Sequence, residues 1–148
     1  MLAVTQVNGC RYCNYGHSKA ALAAGVSQKE LQNLLKGDLD EFPEGESVAL
    51  TFAQHYAESD SKPDPLALKR LEETYGDETS RQILAYIRMI TFGNLYGNTF
   101  DALISRLLLK PASGSSLLNE LFVLIGSLII MPIGMLMHTR TPKKDHRS

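Results

Sequence analysis

Apolar residues recur at spacings of three and four along most of the chain, which is the period of an amphipathic helix. After a short apolar opening at residues 2–7, this pattern predicts five helical segments, which begin near Cys10, Ser27, Pro43, Leu66 and Thr79. The last of these shows the strongest periodicity and extends to about residue 107. No segment alternates apolar and polar residues with a period of two, as a half-buried strand would. The fold class is therefore predicted to be all-α.

The composition changes at residues 110–116, where proline, glycine and serine favour a flexible linker over a helix. This change divides the chain into a helical domain at 1–109, the linker, an apolar helix at Leu117–Met137 and a basic tail at 138–148. An apolar helix needs about 20 residues to cross a bilayer, and the third segment reaches that length. It is interpreted as a possible membrane segment, with burial in an oligomer as the alternative.

The overall composition narrows the functional classes. A length of 148 residues suits one domain, and 44% hydrophobic with 21% charged residues is typical of globular proteins. The formal net charge of −1 provides no basic field to hold nucleic acid, so nucleic acid is not expected as a partner. The opening has no basic residue before an apolar run and therefore does not resemble a cleavable signal peptide. We expect a cytoplasmic protein, which the C-terminal helix would anchor to a membrane if it inserts.

The chain has only two cysteines, Cys10 and Cys13, and a histidine follows at position 17. On a helix these three side chains fall on one face. A helix start favours thiolates and lowers a cysteine pKa from about 8.5 into a range of about 3.5 to 7.5. His17, four residues after Cys13, is placed to accept the thiol proton. The motif therefore predicts a reactive thiol pair with its own base.

The sequence leaves two alternatives to thiol chemistry. Free cysteines are often inert buried residues, so the pair could be structural. Two thiolates and an imidazole could also bind zinc, although a structural zinc site normally has four protein ligands. The remaining histidines are remote in sequence and show no second ligand spacing; they are His55, His138 and His146. No phosphate-binding loop or dinucleotide motif is visible, so no cofactor is expected.

The residues Val-Asn-Gly-Cys-Arg-Tyr-Cys-Asn-Tyr-Gly-His at 7–17 form the centre of a longer stretch at 2–37. That stretch resembles the carboxymuconolactone decarboxylase and AhpD-like alkylhydroperoxidase superfamily. A second block at 87–103 is similar to the long helix of the family, through Phe92, Asn94, Asn98 and Asp101. The resemblance covers residues 2–109, and the cysteine motif is its most specific part.

The resemblance implies an all-helical, oligomeric thiol peroxidase that uses a hydroperoxide substrate and an external dithiol reductant. In that reading Cys13 attacks the peroxide, Cys10 resolves the product and His17 belongs to the proton relay. The decarboxylase branch of the superfamily lacks the cysteine pair, so a decarboxylase-like enzyme is a weaker alternative. A redox-sensing or assembly module of the same fold is another.

The motif departs from the family pattern at two points. The family carries a glutamate upstream of the first cysteine, and this sequence does not reach that position, so the first helix is expected to be truncated. Tyr12 also stands where the peroxidase motif can carry a histidine. Both differences concern proton transfer around the thiols.

Overall fold

The computed structural model describes residues 1–109, 116–126 and 128, and it is helical throughout its regular parts. The helices are α1 (Leu2–Asn8), α2 (Arg11–Ala23), α3 (Gln28–Lys36), α4 (Glu44–Glu58) and α5 (Pro65–Leu107). Residues 117–126 are helical as well. Within the described ranges no strand occurs, which confirms the all-α prediction.

Local capping signals determine the ends of α3. The Ser27 hydroxyl accepts a hydrogen bond from the Glu30 amide at 3.2 Å, and the Glu30 carboxylate accepts one from the Ser27 amide at 2.8 Å. This reciprocal pair is a capping box, which satisfies two amides that the first turn leaves free. Gly37 ends the helix in the left-handed region, at φ 75°. The short helix predicted after Ser27 is confirmed.

Helix α5 is interrupted at Gly76, whose backbone has φ 74° and ψ 166°. A residue with a side chain rarely adopts that conformation, so glycine permits the break. The hydroxyl of the buried Ser80, which follows the break, donates a hydrogen bond of 3.0 Å to the carbonyl oxygen of Leu71, which precedes it. The two helices predicted to meet near Gly76 are thus present as two parts of α5.

The main core brings α1 and α4 together with α5. Val4 and Leu71 have no exposed surface, and Ala3 is 1% exposed. Around them pack other buried apolar residues, namely Val48, Phe52, Ala53, Tyr56, Ile87 and Ile90. Although α1 has only seven residues, it lies in the core, and it leads directly into the first cysteine.

The chain separates into two compact units, Met1–Asn98 and Thr99–Ser148. In the second unit, the Arg106 guanidinium makes two hydrogen bonds, of 3.0 and 3.2 Å, to the buried Glu120 carboxylate. This ion pair joins the end of α5 to residues 117–126, so the last turns of α5 belong to the second unit. Residues 110–115 of the predicted linker at 110–116 lie outside the described part, so the domain division predicted there stays a prediction.

The predicted apolar helix at Leu117–Met137 is described only in part. Residues 117–126 are helical, whereas residues 129–148, including the basic tail, lie outside the described ranges. None of the helices in the part of the chain that the structure describes is long and apolar enough to cross a membrane. Membrane association through this segment stays a prediction.

Candidate redox site

The turn between α1 and α2 positions both cysteines. Gly9 ends α1 in the left-handed conformation, at φ 67°, and its amide donates to the Thr5 carbonyl oxygen at 3.0 Å. Cys10 follows as the N-cap of α2, and its sulfur accepts a hydrogen bond from the Cys13 amide at 3.3 Å. Cys10 therefore occupies the predicted helix start, where free amides stabilise negative charge.

Cys10 and Cys13 are joined by a disulfide. Their exposure differs, because Cys10 has no exposed surface whereas Cys13 is half-buried. Cys13 is therefore the more exposed residue of the pair, and the Cys10 sulfur is the one that accepts a hydrogen bond from a backbone amide.

Two glycines of α5 lie against the disulfide. The Gly93 carbonyl oxygen is 4.0 Å from the Cys13 sulfur. At Gly97, a Cβ atom would lie 2.6 Å from the Cys10 sulfur and 2.9 Å from the Cys13 sulfur. Sequence reasoning missed both residues. The available signal was two glycines four positions apart in a long helix, since residues at that spacing share a face.

Two amide side chains of α5 hold the C-terminal part of α1. Asn94 accepts a hydrogen bond from the Thr5 hydroxyl at 3.1 Å, and both residues are almost fully buried. Asn98 donates to the Asn8 carbonyl oxygen at 2.8 Å. These bonds fix the segment immediately before Cys10, so the asparagines have a packing role that positions the cysteine pair.

His17 lies on α2, one turn after Cys13, and is half-buried. Among the described residues it has no hydrogen-bond partner, and no bond to either cysteine is present. Burial is the larger cause that lowers the pKa of His17, and the positive charge of the chain's amino terminus lowers it further. The imidazole is therefore neutral at pH 7, which is the form that can accept a proton.

The surroundings of the motif are open to solvent. Tyr12 is 51% and Tyr15 is 66% exposed, and the Lys19 ammonium lies 4.6 Å from the centre of the Tyr15 ring. Two clefts of about 500 and 400 Å³ occur elsewhere in the first unit, the second along α5 between Arg88 and Asn98. Cys10, Cys13 and His17 line neither cleft, although Asn8, two residues before Cys10, lines the second.

Metal binding is the other chemistry that the two cysteines and His17 could support. In the part of the chain that the structure describes, no group of three or more histidine, cysteine or acidic residues could hold a metal ion. Both sulfurs are used by the disulfide. The described geometry therefore corresponds to an oxidised dithiol pair.

Residues 1–42 match the model of the carboxymuconolactone decarboxylase family. The match includes both cysteines and His17, and it confirms the resemblance over this part of the chain, whereas the second block at 87–103 lies outside the match. No curated protein and no solved structure matches the chain.

Proposed function

We propose that the protein is a thiol-dependent peroxidase that reduces hydroperoxides through a Cys10–Cys13 disulfide cycle. The main support is the disulfide at the start of α2, in which Cys13 is partly exposed and Cys10 is buried. The family match over residues 1–42 supports the same class of chemistry.

The oxidative half of the cycle begins with the Cys13 thiolate. It attacks one oxygen of the hydroperoxide, so a sulfur–oxygen bond forms, the oxygen–oxygen bond breaks, and the alcohol leaves after taking up a proton. Cys13 is then a sulfenic acid. The Cys10 thiolate attacks this sulfur, the disulfide forms, and the hydroxyl group leaves as water after protonation. Peroxide is reduced and the two thiols are oxidised.

The reductive half of the cycle needs an external dithiol. One thiolate of that reductant attacks the accessible Cys13 sulfur, and Cys10 leaves as a thiolate. The Cys13 amide, 3.3 Å from the Cys10 sulfur, stabilises the charge that develops on this leaving group. The second thiol of the reductant then attacks the mixed disulfide, which releases Cys13 and an oxidised reductant.

His17 is proposed as the base for Cys13. Its spacing of four residues places the two side chains on neighbouring turns of α2. Because its pKa is lowered, the imidazole is neutral at pH 7 and can take the thiol proton. The same proton can then pass to the departing alkoxide.

The test is peroxide consumption by the full chain with excess dithiothreitol, measured beside Cys10→Ser and Cys13→Ser variants. We expect many equivalents of peroxide to be consumed per chain, and none above the buffer rate with Cys13→Ser. A redox-sensing module that dithiothreitol does not reduce again would instead be oxidised once, with no more than about one equivalent consumed per chain. That stoichiometric result would contradict the proposal.

We also propose that the chain forms a homo-oligomer. Tyr86, Met89 and Phe92 are 63%, 56% and 43% exposed and recur every three residues on α5. Such an apolar stripe on a helix is typical of a surface that another chain covers. Light scattering should give a mass that is a multiple of 16.4 kDa, and a monomer at all concentrations would contradict this expectation.

A further inference from the structure

Gly97 lies where α5 meets both sulfurs of the redox pair. A Cβ atom there would be 2.6 Å from the Cys10 sulfur and 2.9 Å from the Cys13 sulfur, closer than non-bonded atoms approach. At Gly93, one turn earlier on the same helix, a Cβ atom would have no atom of the described residues within 4 Å apart from the nearby backbone of α5 itself. The steric requirement for glycine is therefore specific to position 97.

The two redox states respond differently to an added methyl group at this position. In the disulfide, each sulfur is held by its bond to the other, so relief requires α2 or α5 to move. In the reduced pair, each thiol can rotate independently to another staggered conformation about its Cα–Cβ bond. A side chain at position 97 therefore opposes the oxidised form more than the reduced form.

We propose that Gly97 is a positioning residue for the redox pair, whose missing side chain lets the disulfide lie directly on the backbone of α5 and so favours disulfide formation. The inference deepens the proposed function, because it names the residue that helps set the oxidation equilibrium of the pair. Gly97 acts only through the cysteines and has no direct part in the attack on peroxide.

The experiment measures the disulfide equilibrium of full-length Gly97→Ala in glutathione buffers, with the oxidised fraction read by thiol alkylation and mass spectrometry. We expect the equilibrium constant for disulfide formation to fall by about tenfold or more. For this two-electron couple, tenfold corresponds to a potential about 30 mV less negative. An equilibrium constant equal to that of the unchanged chain would overturn the proposal.

Gly93→Ala is the matched control, because it makes the same change on the same helix where the added methyl group meets no side chain of the described residues. Its equilibrium constant should equal that of the unchanged chain. An equal fall in both variants would overturn the proposal, since it would trace the effect to the helix backbone.

A second comparison covers the case in which Gly97→Ala does not fold. The same substitution is made in a Cys10→Ala/Cys13→Ala chain, where we expect no loss of stability in urea unfolding. Destabilisation of that cysteine-free chain would overturn the proposal, because the methyl group would then clash with something other than the sulfurs. Neither comparison uses peroxide, so failure here is distinguishable from failure of the proposed peroxidase activity.

Discussion

The buried hydrogen bond between Thr5 and Asn94 should contribute measurably to stability. The Thr5 hydroxyl donates to the Asn94 side-chain oxygen at 3.1 Å, and the two residues are 0% and 1% exposed. The amide nitrogen of Asn94 has no hydrogen-bond partner among the described residues. Thr5→Val keeps the shape of the side chain but removes the donor, which leaves both polar atoms of the Asn94 side chain buried and unpaired.

A buried polar atom left without its partner costs about 1–3 kcal/mol. We therefore expect Thr5→Val to lower the free energy of unfolding by about 2 kcal/mol. With a urea dependence of about 2 kcal/mol per molar, the unfolding midpoint falls by about 1 M. Unfolding should be followed by circular dichroism under reducing conditions, so that the disulfide does not contribute.

Thr51→Val is the matched control, because Thr51 is exposed on α4 and should change stability by less than about 0.5 kcal/mol. The double variant Thr5→Val/Asn94→Leu removes both partners together. It should be less destabilised than the sum of the two single variants, by about 1 kcal/mol or more. Additive single effects, or a Thr5→Val midpoint equal to that of the control, would refute the reasoning.

Two further predictions concern His17, the proposed base, and the ion pair between Arg106 and Glu120 in the second unit. His17→Ala should slow thiol alkylation near pH 7 and shift the pH profile of alkylation upward. In the unchanged chain, alkylation should slow as pH falls through the lowered pKa of His17, because protonated His17 cannot accept a proton. Identical pH profiles for the variant and the unchanged chain would contradict the assignment of His17 as the base. Glu120→Gln removes the carboxylate that accepts hydrogen bonds from the Arg106 guanidinium. This hydrogen bonding is the main cause that raises the pKa of Arg106, and the negative charge of Glu120 raises it further. Residues 117–126 should therefore be cleaved faster in limited proteolysis of the variant, and an unchanged cleavage rate would contradict this role.

The helix ends could be predicted from the sequence because their causes are local. The capping box at Ser27 and the left-handed glycines at positions 9, 37 and 76 act through backbone atoms only a few residues away. The cysteine motif was recognisable for the same reason, since Cys10, Cys13 and His17 lie within eight residues on one helix.

The contacts that complete the site depend on distant parts of the chain. Gly97 is placed against the cysteines only by the packing of α5, and Thr5 meets Asn94 across 89 positions. The full burial of Cys10 follows from the same packing and has no counterpart in the local pattern. Glu120, the one acidic residue of the predicted apolar helix, likewise has a partner outside that segment, in Arg106.

The most direct test of the proposed cycle identifies the sulfur that peroxide oxidises. Reduced Cys10→Ser and Cys13→Ser chains are treated with one equivalent of peroxide and dimedone, and the adduct is located by mass spectrometry. The proposed cycle predicts a sulfenic acid adduct at Cys13 in the Cys10→Ser chain and no adduct in the Cys13→Ser chain. An equal adduct at Cys10 in the Cys13→Ser chain would contradict it.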